Sequence, residues 1–223
     1  MPNGSLSLPA RLYLLAWDTT RTGITGESHL PRLVRAGALV ELARRGLLTD
    51  DDGIATPVDP DARTGDPVLD GLLELVEESR PRTWQTWVTL RARVTLDAVR
   101  ARLAADGRLR VVKRRALGVF PTVEYELEGV PLVRALHEEA RRILEGPVPV
   151  AEVPGDDAAL VALAASAGLS TLFTGEDPDR HHPDRHKERI EALSERAGTA
   201  APALPKVLQE MRAALLTAAA AVT

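Results

Sequence analysis

Helical periodicity is the feature that most constrains the fold of this 223-residue chain. The stretch RLVRAGALVELARRGLL (32–48) repeats its apolar residues every three or four positions, which is the spacing of one face of an α-helix. The spacing recurs in TGDPVLDGLLELVEES, where Asp66 at the N-cap and Pro67 at the first helical position mark a helix start. Because only 3% of the residues are aromatic, the core must consist mainly of Leu, Val and Ala, which favours helices.

The ends of the elements carry their own signals. Gly46 is expected to end the 32–48 helix in a Schellman motif, and Thr95 is expected to cap the helix LDAVRARLAADG. LLTDDDGIATPVD predicts a short hairpin that turns at Asp52-Gly53. Further helices are predicted over residues 8–18, 131–145, 156–173, 184–197 and 203–222. The chain is therefore expected to be mainly α, with small β-hairpins.

A basic cluster stands out against an overall net charge of −4. Residues 100–115 contain seven basic residues and one acidic residue, a local charge of +6. Most of the cluster belongs to a predicted β-hairpin over 108–128 with an apolar tip, ALGVF. An apolar tip with basic flanks fits a membrane surface, a nucleic-acid-binding wing or a contact with a second copy. The contact residues predicted for this hairpin are Arg108, Arg110, Lys113, Arg114, Arg115, Leu117, Val119 and Phe120.

Two further arginines border apolar helix faces. Arg35 shares a helix column with Leu39 and Leu42, and Arg100 borders Leu103 in the same way. An apolar stem with a solvated head would explain either arginine alone. The two together, one close to the basic hairpin, predict a shared anion pocket, because the planar guanidinium binds two phosphate oxygens at once. Glu41 and Arg45, in contrast, are expected to form an exposed i,i+4 pair.

The chain lacks the motifs of common enzymes. It has no cysteine, no nucleophile elbow, no phosphate-binding loop and no dinucleotide-binding motif. The histidines of HHPDRH, which are His181, His182 and His186, are interrupted by a proline and are expected in a solvated loop rather than at a metal. No apolar run reaches the roughly 20 residues of a membrane span. We therefore expect a cytoplasmic, non-enzymatic protein without cofactor or metal.

The order of these motifs resembles the Golgi phosphoprotein 3 family. The resemblance rests on LVRAGALVELARRGLL, then RTGDPVLDGLLELV, then LDAVRARLAADGRL leading into a basic hairpin. It implies a single domain over residues 1–223, with amphipathic helices around a central hydrophobic helix bundle. The eukaryotic members are peripheral membrane adaptors, not catalysts. They bind phosphatidylinositol 4-phosphate and hold glycosyltransferases in the Golgi by their cytosolic tails.

The resemblance also implies a site. Arg35 and Arg100 match two arginines of the family's head-group pocket, whereas Gly26 and Asp97 stand where the family has Trp and Arg. The expected function is reversible docking on the cytosolic face of an anionic, phosphoinositide-like membrane, with cytosolic tails of membrane proteins or a second copy as further partners. The alternatives are, first, a nucleic-acid-binding module that uses the hairpin as a wing and, second, an oligomeric interaction protein.

Overall fold

The computed structural model describes residues 6–20, 23–116, 120–173, 186–198 and 204–220. Within these residues the chain forms a single, mainly helical domain, which confirms the predicted fold class. The helices are α1 Leu8–Leu15, α2 Leu30–Arg44, α3 Pro67–Glu77, α4 Trp84–Thr89, α5 Ala92–Ala105, α6 Val130–Glu145, α7 Gly155–Ser166, α8 Lys187–Gly198 and α9 Leu204–Ala220. The strands are β1 Trp17–Asp18, β2 Gly23–Ile24, β3 Leu48–Asp51, β4 Ile54–Pro57, β5 Leu109–Ala116 and β6 Phe120–Leu127. They pair as three antiparallel hairpins, β1–β2, β3–β4 and β5–β6.

Helix α2 lies at the centre of the domain. Thirteen of its fifteen residues are buried, and it contacts α1, α3, α4, α5, α7 and α9. Gly37 lets α1 approach closely, because a Cβ atom at this position would collide with the side chain of Leu12. Helix α7 is also buried on most sides, from Ala158 to Ser166. These two helices form the central hydrophobic bundle, and the amphipathic helices pack around it.

The C-terminal end of α2 confirms the predicted Schellman motif. Gly46 has a φ of +72°, and its N–H donates to the carbonyl of Ala43 at 3.0 Å. The N–H of Leu47 donates to the carbonyl of Leu42, also at 3.0 Å. These two bonds satisfy carbonyls that the end of the helix would otherwise leave unpaired.

The prediction for Glu41 and Arg45 was right about the ion pair and wrong about its exposure. The two side chains are in contact, but Glu41 is buried. Its second carboxylate oxygen accepts a hydrogen bond of 2.6 Å from the N–H of Leu8, the first residue of α1. Glu41 therefore caps the N-terminus of α1, a role that depends on how α1 packs against α2.

The predicted cap of α5 was wrong. The helix begins at Ala92, and Thr95 is a buried residue inside it. The N-cap position is occupied by Arg91, which adopts the left-handed conformation with a φ of +52°. Helix α4 ends only two residues earlier, at Thr89, so the chain must turn sharply between the two helices. This turn directs the carbonyl of Arg91 to the site described below.

Most other predicted signals are confirmed. Asp66 caps α3 by accepting from the N–H of Val68 at 2.8 Å, and Asp52-Gly53 connects β3 to β4. Trp84 and Trp87 are fully buried. Two helices are shorter than predicted. The helix expected over 8–18 ends at Leu15, and the helix expected over 156–173 ends at Ser166. The hairpin predicted over 108–128 is present, with strands over 109–116 and 120–127.

Candidate anion-binding site

Arg35 lies inside the domain with no exposed surface. Its Nη2 donates to the carbonyl of Arg91 at 2.7 Å, which ties α2 to the start of α5. Its Nε and Nη1 are buried without a hydrogen-bond partner, and no carboxylate of the described residues forms an ion pair with it. Burial lowers the pKa of its guanidinium to about 10. Arg35 is thus a buried cation whose charge is not compensated by the protein around it.

Arg100 lies on α5 and is held by three elements. Its Nε donates to the hydroxyl of Tyr13 on α1 at 3.3 Å. The guanidinium carbon is 5.6 Å from the ring centroid of Tyr13 and 5.4 Å from that of Tyr125 on β6, which are cation–π distances. Burial raises the pKa of the Tyr13 hydroxyl, and Arg100 opposes part of that rise. The side chain is 25% exposed, and its Nη1 is 3.7 Å from the carboxylate of the exposed Asp97.

A cavity of about 250 Å³ opens beside Arg100. Its walls combine one guanidinium, two carboxylates and three aromatic rings, supplied by α1, the β1–β2 hairpin, the turn before α2, α5 and β6. The lining residues are Tyr13, Trp17, Gly23, Ile24, Glu27, Arg100, Val123, Glu124 and Tyr125. The three aromatic residues were missed in the sequence because they come from separate elements. Only the spacing of Tyr13 and Trp17, four residues apart, hinted that two of them would lie close together.

Gly26, where the resemblance places a tryptophan of the family, lies in a turn. Gly26 has a φ of +68°, and its carbonyl accepts from the N–H groups of His29 and Leu30 at 3.1 and 2.9 Å. A side chain would be strained in this conformation, and its Cβ would lie 2.7 Å from the ring of His29. The indole that lines the cavity is that of Trp17 instead.

The two arginines predicted to share a pocket lie at different places along α5: Arg35 reaches the start of this helix from α2, and Arg100 belongs to α5 itself. Arg35 contacts Arg91, at the start of the helix, and Arg100 lies nine residues further on, about 13 Å along the axis. Arg35 does not line the cavity beside Arg100. The structure therefore places both arginines against one helix but does not bring them into one cavity, and a pocket formed by both stays a prediction.

One face of the basic hairpin is largely neutralised by its own second strand. Arg110 pairs with Glu126 and, at 2.9 Å, with Glu128. Arg114 pairs with Glu124 at 2.7 Å and with Glu126 at 3.5 Å. The register places Arg110 directly opposite Glu126. When these glutamates are counted, residues 100–128 contain seven basic and four acidic residues, and the local charge falls to +3.

The other face of the hairpin is apolar and cationic. Val111 is opposite Tyr125, and Lys113 is opposite Val123, so these four side chains point to the same side. Val111 and Val123 are 46% and 55% exposed. Lys113 is exposed as well and forms no ion pair with any described residue. We call Val111, Lys113 and Val123 the valine–lysine face.

The remaining predicted contact residues are only partly described. Arg108, at the base of the hairpin, is half-buried and lines a different cavity of about 490 Å³ together with Arg11 and Arg44. The backbones of Arg115 and Phe120 belong to the paired strands, but their side chains lie outside the description. The tip residues Leu117 and Val119 lie outside the described residues altogether.

Neither a metal site nor a membrane-spanning helix is found in the part of the chain that the structure describes. His181 and His182 lie outside that part. His186 is within it, and its ring stacks on Phe173 with centroids 6.0 Å apart.

The fold and the site together define a helical domain with a buried cation, an aromatic cavity and a partly basic hairpin. A family model described as Golgi phosphoprotein 3 matches residues 8–211. The chain therefore belongs to the Golgi phosphoprotein 3 family, which is a family of non-enzymatic adaptors. No individual curated protein matches the chain.

Proposed function

We propose that this chain is a non-enzymatic, cytoplasmic protein that docks reversibly on a membrane by binding phosphorylated lipid head groups. By resemblance to the family, the lipid is anionic and similar to phosphatidylinositol 4-phosphate, and the chain acts as an adaptor for cytosolic tails of membrane proteins. The observation that carries this proposal is the uncompensated charge of Arg35. The valine–lysine face supplies the second part of the argument.

A buried guanidinium without a partner is costly, since several kcal/mol of hydration are lost when such an ion leaves water. Because Arg35 has no exposed surface, a phosphate must displace part of the packing around α2 to reach it. Once bound to Nε and Nη1, the phosphate would offset this loss of hydration and satisfy both unpaired nitrogens. Arg189 shows how the same protein holds an arginine for structure alone. Its Nε and Nη2 donate to the carbonyls of Ile143 and Val148, both at 2.7 Å. Arg35 has only one such bond, which supports a ligand at the other two nitrogens.

The basic residues of the hairpin would be attracted to the anionic membrane surface, and its apolar residues would insert into the membrane. Lys113 contributes about 1 kcal/mol near an anionic surface, and the two valines beside it can enter the acyl boundary. Arg108, Arg110, Arg114 and Arg115 would add non-specific attraction, and Leu117, Val119 and Phe120 would enter the membrane or contact a second copy. Because Arg110 and Arg114 are already paired with glutamates, we assign them less of the attraction than Lys113.

Vesicle co-sedimentation tests the proposal. The protein should sediment with vesicles that contain phosphatidylglycerol or phosphatidylinositol 4-phosphate, and added salt should release it. Arg35→Met should abolish the preference for the phosphoinositide over phosphatidylglycerol. Lys113→Glu should weaken binding to both vesicles more than Arg114→Glu, which is the matched control on the paired face. Equal recovery with neutral and anionic vesicles would contradict the proposal.

The same samples separate the other two interpretations of the hairpin. A salt-sensitive DNA shift without vesicle binding would support the nucleic-acid-binding wing. A molar mass that rises with concentration and falls to that of one chain in Val123→Asp would support an oligomer contact.

A further inference from the structure

The cavity beside Arg100 has an unusual charge pattern for a phosphoinositide site. Among the described residues, Arg100 is the one basic residue that lines it, and Glu27 and Glu124 are the two acidic ones. Asp97 adds a third carboxylate at 3.7 Å from the guanidinium. A head group that carries several phosphates would meet more negative than positive charge here. In a ligand with one phosphate and one positive charge, the phosphate could contact Arg100 and the positive group could contact a carboxylate.

We infer that the cavity beside Arg100 binds the phosphate ester of an amino alcohol, the head group of an ethanolamine, serine or choline phospholipid. This inference rests on the proposed function, because it adds a second head-group site to the proposed membrane-docking surface, beside the site for an anionic lipid at Arg35. It does not involve Arg35, which lies outside this cavity.

Arg100 is positioned to bind the phosphate. Its Nε donates to the hydroxyl of Tyr13, and cation–π contacts with the rings of Tyr13 and Tyr125 hold the guanidinium in place. The Nη2 atom forms no hydrogen bond or ion pair with the described residues, and Nη1 meets only the exposed Asp97 at 3.7 Å. A phosphate oxygen can therefore bind at this end without breaking the contacts that hold the side chain.

Glu27 is positioned to bind the ammonium group. Of the two acidic lining residues, Glu124 already pairs with Arg114 at 2.7 Å. Glu27 is exposed and forms no ion pair or side-chain hydrogen bond within the described residues, so its charge is available. The rings of Trp17 and Tyr125 line the same cavity, and aromatic faces attract ammonium groups as well as guanidinium groups.

The size of the cavity agrees with a head group alone. At about 250 Å³ it lies below the roughly 300–1,000 Å³ of pockets for drug-sized ligands. It has room for a short zwitterion and not for an acyl chain. The acyl chains would remain in the membrane, on the side where the hairpin presents the valine–lysine face, since Val123 belongs to both surfaces.

Calorimetric titration of the full chain with soluble probes tests this inference. Phosphoethanolamine and glycerol 3-phosphate share the phosphate ester, but only the first carries an ammonium group. We expect phosphoethanolamine to bind about five- to tenfold more tightly, the gain of one partly exposed ion pair with cation–π support. Glu27→Gln should remove this preference and leave the affinity for glycerol 3-phosphate unchanged. Glu138 on α6 is exposed and forms no ion pair with another described residue, so Glu138→Gln is the matched control and should change neither affinity.

Arg100→Gln should lose affinity for both probes, but Arg100 joins three elements and its loss can disturb the fold. A second variant, Tyr125→Leu, tests the cavity without removing Arg100. Tyr125→Leu removes one aromatic wall and should reduce the preference for phosphoethanolamine about threefold. Equal affinities for the two probes, or a preference that survives Glu27→Gln, would overturn the inference.

Pure phosphatidylglycerol vesicles, which carry no ammonium group, separate this inference from the proposed function. Binding to these vesicles together with equal affinity for the two probes leaves membrane docking standing and refutes the choice of head group. A preference for phosphoethanolamine without binding to any vesicle supports the ligand class and refutes membrane docking.

Discussion

The central helix α2 and the hairpin β5–β6 both contain arginines, but they treat the charge in opposite ways. Arg35 is fully buried on α2 and has no carboxylate partner among the described residues. Arg110 and Arg114 are exposed on the hairpin and are paired with glutamates of the neighbouring strand. The run of basic residues in the sequence therefore suggests a higher net charge on the hairpin than the ion pairs leave. Arg35, a single arginine among leucines, is the buried cation without a carboxylate partner among the described residues. The four predictions below test this contrast, from the largest expected effect to the smallest.

The packing of α2 should dominate stability. Leu39 is fully buried, and Leu39→Ala should lower the free energy of unfolding by about 2–5 kcal/mol because a cavity is left behind. Val123→Ala on the exposed hairpin is the control and should change it by no more than about 0.5 kcal/mol. Urea unfolding followed by circular dichroism measures both. Equal losses would mean that the hairpin is as much a part of the packed core as α2.

Removing the buried charge should stabilise the protein. In buffer without phosphate or sulfate, Arg35→Met should raise the free energy of unfolding by about 1–3 kcal/mol, since an apolar chain of similar length replaces an uncompensated ion. Arg189→Met should instead lower it by about 1–3 kcal/mol, because two carbonyls lose their donor. Added phosphate should stabilise the wild type more than Arg35→Met, because only the cavity beside Arg100 remains to bind phosphate in the variant. A loss of stability in both variants would show that Arg35 is a structural arginine like Arg189.

The buried bundle should also be the part of the molecule that responds to mild acid. His137 is buried on α6 with its Nε2 3.0 Å from the carbonyl of Leu15, and burial lowers its pKa below the usual 6.5. The stability that neutral His137 contributes is fully present above about pH 6.5. It is lost as the pH falls from there towards the lower pKa of the folded state, because the unfolded chain binds the proton first. The free energy of unfolding should fall by at most about 1.4 kcal/mol per pH unit in this range. His137→Gln should flatten the stability profile between pH 7 and pH 5, and Glu126→Gln on the hairpin should not.

The ion pairs of the hairpin should have the smallest effect. A double-mutant cycle with Arg110→Gln and Glu126→Gln should give a coupling free energy of about 0.2–1 kcal/mol that decreases with added salt. Thermal unfolding of the four proteins at two salt concentrations measures it. A coupling of several kcal/mol would mean that this face of the hairpin is desolvated, for example by contact with a second copy.

Local signals in the sequence predicted local structure well. Asp66 as a cap, Gly46 as a helix end and Asp52-Gly53 as a hairpin turn are each confirmed, because each depends on the backbone of a few neighbouring residues. Thr95 shows where such reasoning fails. It is a suitable cap by residue type, but the turn between α4 and α5 starts the helix three residues earlier and buries it.

The site itself could be predicted only in part. Arg35 and Arg100 were identified because an arginine beside leucines breaks the pattern of a helix. Their surroundings could not be identified in the same way. The cavity joins Tyr13, Glu27 and Tyr125, which are far apart in the chain and carry no shared spacing. The pairing of Arg110 with Glu126 likewise depends on the register of two strands.

The sequence by itself determined the mainly helical class, the apolar face of α2 and the existence of the basic hairpin, because periodicity and turn residues act over short distances in the chain. Only the tertiary structure decided which charges are balanced. Packing brings Glu41 to the start of α1 and three glutamates to the hairpin arginines, and it leaves Arg35 without a carboxylate among the described residues. Electrostatic energy depends on distance and burial in space, and neither can be read from the order of the residues alone.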